Sequence, residues 1–319
     1  MEKYPLQLRY IPRDLPWGGH ALRDRFGFGR DGERIAEAWV ASVRPEAVSV
    51  IENGPAAGMT LGDYVADDPT ALGFHHTGKR FPVLIKLIDA GDKLSVQVHP
   101  DDGYAARAEN DSGKTEMWYV LRAEPGARIV YGIKDGVTVP ELIGALEKGE
   151  DEKVLRYVFP KAGDALFIPP GLVHSIGSGI TLAEIQENSD LTYRIYDYDR
   201  VFDGVKRPLH TEKAADCVKY YSDGDIGRIR FSRGAGEDVI CSCARFKVRR
   251  ITSRDSGGVT VTVGDDSFAV LLVTGSEEGA VLSFGGEKTP LSFGDSYFVP
   301  AGTGNVAVAG NAEVLATTI

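Results

Sequence analysis

Histidine, glutamine and glutamate occur in this sequence at spacings that strands could bring together. In LSVQVH (94–99), alternation puts Leu94, Val96 and Val98 on one face of a strand and Ser95, Gln97 and His99 on the other. The run EMWYVLR (116–122) places Glu116, Trp118 and Val120 on a common face. Glu116 is the one acid of that apolar run, and a buried carboxylate is costly unless paired or bound to a cation. The segment GDALFIPPGLVHSIG (163–177) supplies His174. Gln97, His99, Glu116 and His174 then offer two imidazole nitrogens and two oxygens. That donor set suits zinc and is compatible with iron, manganese or nickel. With one carboxylate on a divalent ion, the site keeps positive charge and acts as a Lewis acid. His75 and His76 sit in a polar stretch, and His20 and His210 have no evident partner in the sequence.

The segment that carries His174 is written twice. GDSYFVPAGTGNVAV (294–308) repeats its pattern of Gly-Asp, an apolar run, and Pro-x-Gly, with Asn305 at the place of His174. A Gly-Asp turn leads into a short buried strand, and Pro-x-Gly turns the chain out of it. Copies of such units wrap into antiparallel jelly-roll barrels. The form G-x5-P-x-G-x2-H is similar to the second motif of the cupin superfamily. Gly163, Pro169, Gly171 and His174 fill it, and Gly294, Pro300 and Gly302 fill the same frame before Asn305. The expectation is two barrels of one geometry, with the metal site in the first.

Short apolar or alternating runs divided by Gly, Pro and Asp predict strands at 81–89, 94–99, 116–122, 127–133, 165–169, 180–187 and 191–198, then at 259–263, 268–275, 280–284 and 296–300. Helical patterns cover 61–69, 139–149 and 211–221. The fold class expected is mostly β: two cupin (jelly-roll) β-barrel domains with a few short helices. The Gly-, Asp- and Ser-rich stretch 220–238 carries the expected boundary, between a metal-binding domain at 1–225 and a degenerate cupin domain without a metal site at 226–319.

The chain has 319 residues, a net charge of −10, 43% hydrophobic and 26% charged residues. This is the balance of a soluble globular protein, and it argues against a nucleic-acid or membrane partner. No apolar run approaches the ~18 residues of a membrane span. The first residues lack an apolar signal core, and three cysteines make an odd number, so a reduced, cytoplasmic setting is expected. The sequence leaves the oligomeric state open.

LSVQVHPDD, GKTEMWYV, PPGLVHSIG and ENSDLTYRIYDYDR resemble the type I phosphomannose isomerases in their short bacterial form. PWGGHAL (16–22), which contains Trp17, and IAEAWVAS (35–42) resemble two further segments of that family. The likeness covers 1–221, and beyond it only the cupin frame is legible. Ala36 stands where related sequences often carry glycine. The resemblance implies that Gln97, His99, Glu116 and His174 hold one zinc ion per chain. It casts Arg194, Glu184 and Lys114 as catalytic, and Ser95, Lys86 and Trp17 as substrate-binding. An anionic substrate also needs local cations on an acidic protein, and Lys86, Lys114, Arg194 and Lys206 are expected to supply them.

The activity implied is isomerisation of mannose 6-phosphate to fructose 6-phosphate through an enediolate, with a small-molecule sugar phosphate as partner. Glu184, Lys114 and a metal-bound water are the candidate bases, whereas Arg194 keeps its proton and serves as an electrophile or phosphate ligand. The alternatives are a metal-dependent cupin oxygenase and a non-catalytic sugar-phosphate-binding cupin.

Overall fold

The computed structural model describes residues 2–202, 204–222, 228–230, 236–254 and 257–319. All eight residues of the strand Val83–Ala90 are buried. An almost unbroken apolar run of this kind belongs to a sheet covered on both faces. That sheet has seven antiparallel strands in the order Arg228–Arg230, Asp164–Ile168, Glu116–Ala123, Ile180–Glu187, Val83–Ala90, Glu37–Ala41 and Ile11–Arg13.

Alternation sends its side chains to two different cores. Ile88, Trp118, Val120, Leu166, Ile168 and Leu182 pack against Ile129, Tyr131 and Ile176 of a five-stranded sheet. Val83, Ile85, Leu87, Met117 and Ile185 point the other way, onto Val248, Val270, Leu272, Phe298 and Leu315 of a second seven-stranded sheet. That second sheet packs its far face, through Leu271, Val273, Tyr297 and Val314, on Val261, Leu282, Val306 and Val308 of a four-stranded sheet. The molecule is thus four β layers deep, two sandwiches joined back to back. This is the mostly β, jelly-roll architecture expected, with six short α-helices among the described residues.

Helices Val139–Glu147 and Thr211–Cys217 cover the outside of the five-stranded sheet, where Leu142, Leu146 and Cys217 meet Val96, Val98 and Val130. Thr138 and Glu141 form a capping box that starts the first of them. Helices Ala21–Phe26 and Asp102–Glu109 are additional to those predicted. Strand Leu6–Arg9 pairs with Ser296–Val299 on one side and with Val50–Ile51 on the other, so early residues complete the second sandwich. Of the expected boundary stretch, residues 223–227 and 231–235 lie outside the described residues, and Arg228–Arg230 pairs with Asp164–Leu166.

The two copies of the repeated phrase fold alike up to the second glycine. Gly163 and Gly171 have φ of 89° and 91°, and Gly294 and Gly302 have 84° and 81°. The aspartate after the first glycine explains its place: Asp164 Oδ2 accepts the Lys161 N–H at 2.8 Å, and Asp295 Oδ2 accepts the Ser292 N–H at 2.7 Å. Beyond the second glycine the copies part. His174 is buried, whereas Asn305 is exposed and its neighbours Val306 and Val308 enter the second core. Gly304, at φ 87°, opens the strand Gly304–Ala309 just before Asn305. The expected common frame therefore fails at its last position. Leu94 also departs from the expected parity, because the regular strand begins at Val96 and Leu94 turns into the first sandwich.

A Cβ at Gly294 would lie 2.3 Å from the Phe28 ring. Gly294→Ala combines that overlap with a left-handed backbone, and is expected to cost about 2–4 kcal/mol. The melting temperature of purified protein should fall by several degrees. An unchanged melting temperature would show that Phe28 and the turn relax without cost.

Candidate functional site

Two rungs of neighbouring strands face each other inside the first sandwich. On the five-stranded sheet, Arg194, Gln97, His174 and Tyr131 stand side by side in register. On the central sheet, Trp39, Lys86, Glu184, Trp118 and Leu166 do the same. Residues up to 145 positions apart (39 to 184) thus share one row. Between the rungs lies a cavity of about 270 Å³. Larger cavities of about 430 and 480 Å³ lie at other places and contain no histidine.

Gln97 and Glu116 line this space, and Glu116 meets the buried His99 and His174 beside it, with ligand atoms of the three all within 4.8 Å of one another. His99 Nδ1 is 2.8 Å from the Leu191 carbonyl oxygen and His174 Nδ1 is 2.9 Å from that of Leu172. A carbonyl oxygen can only accept, so each ring carries its proton on Nδ1 when neutral. The two Nε2 atoms are 3.1 Å apart and then present only lone pairs to each other. Protonation does not relieve this at neutral pH: burial pushes both imidazoles down, His174 to about 3. Glu116 Oε1 is 3.1 Å from His99 Nε2, while its buried Oε2 has no hydrogen-bond partner. Two bare nitrogens and an orphaned carboxylate oxygen fit a divalent cation.

Gln97 completes the set. Ser95 Oγ donates to Gln97 Oε1 at 3.0 Å, and Gln97 Nε2 is 3.4 Å from His174 Nε2. Half a turn of the amide leaves Nε2 to donate to Ser95 and brings the oxygen towards His174, the orientation that a cation selects. The structure thus brings together all four residues expected at the metal.

Charge is organised around them. Burial by itself would raise the Glu116 carboxyl, but His99 and then Lys114, whose Nζ is 3.4 Å from Oε1, hold it well below the usual range. Glu184 goes the other way. Burial, and next the Glu116 charge, raise it to about 7 against the lowering effect of Lys86 and Lys114. Trp118 Nε1 donates to Glu184 Oε2 at 3.0 Å, and Lys86 Nζ lies 3.4 Å from both Glu184 Oε1 and Glu37 Oε2. Burial would lower Lys86, but Glu37 and Glu184 outweigh it and raise its pKa.

Arg194, Arg207, Arg13, Asp190 and His210 also line the cavity. Arg194 Nη1 donates to the Pro208 carbonyl at 3.1 Å, and its buried Nε has no hydrogen-bond partner. Asp197 is taken by Arg200 and Arg207, each at 2.6 Å. Trp17 and Ser95 line the cavity as expected. Lys206 does not. It sits exposed on the hairpin formed by Val201–Phe202 and Val205–Lys206 and pairs with Asp199 at 2.7 Å, while the next residue, Arg207, turns inward. Sequence reasoning passed over Arg207, Asp190, Glu37 and Arg13. A parity argument needs a regular strand, and Arg207 and Asp190 lie in irregular chain. His210 had no visible partner because its partner is backbone: its Nδ1 accepts the Arg194 N–H at 3.2 Å.

A model of the type I phosphomannose isomerase catalytic domain matches residues 6–121. The chain is 43% identical over 217 residues to the probable mannose-6-phosphate isomerase GmuF of Bacillus subtilis, covering 67% of this chain and 68% of that one. It is 35% identical over 321 residues to the mannose-6-phosphate isomerase ManA of the same organism, covering 99% of each. The crystal structure of the mannose 6-phosphate isomerase from Bacillus subtilis is similar over 99% of both chains, with a TM-score of 0.85 at 30% identity.

His174→Asn is expected to strip the metal while leaving the fold, since the turn before it is untouched. Asn305→Ala, on an exposed position, should leave metal content as it is. Metal analysis of dialysed protein decides between them. Equal metal in wild type and His174→Asn would remove His174 from the site.

Proposed function

The chain belongs to the type I phosphomannose isomerase family, and we propose that it interconverts mannose 6-phosphate and fructose 6-phosphate in the cavity between the two rungs. The observation that carries this reading is the pair of bare imidazole nitrogens beside the orphaned Glu116 oxygen, with Glu116 lining the same cavity as a buried carboxyl, Glu184, raised to about 7. We take the ion to be zinc, one per chain, held by Gln97, His99, Glu116 and His174. When bound, it would polarise the sugar carbonyl and stabilise the charge that grows on its oxygen.

The side chains divide the remaining work. Arg194 and Arg207 bind the phosphate, with Arg13 adding to the positive field. Five cationic side chains line the cavity (Arg13, Lys86, Lys114, Arg194, Arg207) against four acids (Glu37, Glu116, Glu184, Asp190), which reverses locally the net charge of −10. Trp17, Leu94 and Ile176 give apolar wall against the sugar and limit water. Glu184 takes the proton from C2 of the open-chain aldose and returns it to C1, and the enediolate lies between these steps. A carboxyl near neutrality suits both directions. Trp118 fixes one of its oxygens, and Lys86 keeps charge near the other. Lys114 stands beside Glu116 as a further cation.

We assign residues 1–225 to the metal-bearing domain and 226–319 to a second cupin domain without a metal site, with Leu6–Arg9 and Val50–Ile51 lent to the second sandwich and Arg228–Arg230 to the first. The apolar interior around Val261, Val306 and Val314 supports that assignment. We place the enzyme in a reducing, cytoplasmic compartment on its odd cysteine count.

A coupled isomerisation assay tests the reading. Mannose 6-phosphate should turn over, and free mannose should be poorer in kcat/KM by about 100-fold or more, the worth of two charge-assisted contacts. Comparable efficiencies would refute the phosphate end of the cavity. Glu184→Gln should lower kcat by about 100- to 10,000-fold. The base must be ionised, so wild-type kcat/KM should rise with pH through an acid limb. Glu184 is raised to about 7 in the metal-free protein, and a cation beside Glu116 offsets that repulsion, so the limb should fall at or below about 7. Persistence of that limb in residual Glu184→Gln activity would assign it to another group.

A further inference from the structure

Residues 243–246 form the tip of a hairpin between strands Gly236–Ser242 and Lys247–Ser253 of the second sandwich. The tip is tightly held. The Cys243 N–H donates to the Phe246 carbonyl at 3.1 Å, the Arg245 N–H to Cys243 Sγ at 3.4 Å, and Phe246 is buried in the core between the two large sheets. From this tip Arg245 reaches across to the first sandwich. Its Nη2 meets Asp102 Oδ2, and its Nε lies 3.2 Å from Glu187 Oε1.

Each of these acids uses its other oxygen on one short segment. Asp102 Oδ1 accepts the Gly113 N–H at 2.8 Å, and Glu187 Oε2 accepts the Thr115 N–H at 2.8 Å. Between them, the Lys114 N–H donates to the Pro100 carbonyl at 3.1 Å, beside His99. Gly113 packs so closely that a Cβ there would lie 2.6 Å from Asp102 N. Glu116 follows Thr115 directly. One guanidinium therefore brackets the chain that delivers Lys114 and Glu116 and touches the loop that leaves His99. Glu187 is buried, while the Arg245 and Asp102 side chains are partly exposed, so the pairing is screened on one side only.

We propose that Arg245 is a positioning residue for the isomerase site, through which the second sandwich sets the metal affinity of the first. The inference rests on the metal reading given above. Its prediction concerns Arg245 alone: without the guanidinium, Asp102 and Glu187 repel each other, the Gly113–Thr115 segment loosens, and Glu116 loses its fixed direction. Loss of groups that orient a ligand typically costs about 10- to 100-fold in metal affinity.

The test uses the purified, metal-loaded enzyme with Arg245→Met, Arg245→Lys, Asp102→Asn and, as a control on the same hairpin, the exposed Lys247→Met. The readouts are the rate of metal loss to a chelator, kcat and KM measured separately, and the melting temperature. Arg245→Met should lose metal about 10-fold faster or more, with kcat lowered and KM little changed. Arg245→Lys should recover part of both, and Lys247→Met should match wild type. Asp102→Asn keeps an acceptor for the Gly113 N–H but drops the charge, and should move metal loss in the same direction. It carries the test if Arg245→Met fails to fold. Wild-type rates of metal loss and wild-type kcat in Arg245→Met, whatever its melting temperature, would overturn the proposal. A wild-type enzyme that retains no metal would instead overturn the metal reading on which it rests.

Discussion

Everything in the first sandwich stems from a sheet whose middle has no wet face. The strands Ile180–Glu187 and Val83–Ala90, with residues 116–120 beside them, are covered by the five-stranded sheet on one side and by the second sandwich on the other. A charged side chain there must therefore find partners inside the protein. Lys86, Glu116 and Glu184 are such side chains, and they solve the problem jointly: Lys86 with Glu37 and Glu184, Glu184 with Trp118, and Glu116 with Lys114 and His99. Among these three, the oxygen left without a hydrogen-bond partner belongs to Glu116, and it is also the one charged atom that a cation could take.

How much of this was legible depended on whether alternation was enough. Gln97 and Glu116 lie on regular strands and His99 follows one directly, and counting by two puts each on its observed face. His174 was legible because a repeat marked it. What alternation cannot supply is register between strands distant in sequence, and the rungs Arg194–Gln97–His174 and Lys86–Glu184–Trp118 exist only through that register. Glu184 and Arg194 were reached through family likeness for this reason. Where the chain is irregular, even the neighbour was misjudged: Lys206 was expected in the cavity, and Arg207 is there. The short N-terminal strands went unseen because three to five residues carry too little pattern, and their partners lie far along the chain.

The repeat shows how far local sequence determines local form. Gly-Asp and Pro-x-Gly reproduce the same left-handed glycines and the same aspartate bond in both copies. The orientation of the twelfth residue is not part of that unit. It depends on the residues beyond the turn: after the positive φ of Gly304 the strand sets Asn305 outward and Val306 and Val308 inward. The second barrel thus differs from the first by a changed direction as well as a changed residue.

The pairing of residues 6–8 with 296–298 has a bearing on how the molecule comes into being. A ribosome releases residues 6–8 nearly three hundred residues before their neighbours at 296–298. The strand at Val50–Ile51 can join them early, but the opposite edge stays without its mate until Ser296–Val299 emerges. During that interval the apolar flank formed by Leu6 and Leu8 has no second sheet to enter. The nascent chain therefore carries an open β edge while the residues between are made. Strand Ser296–Val299 serves as the clasp that closes it.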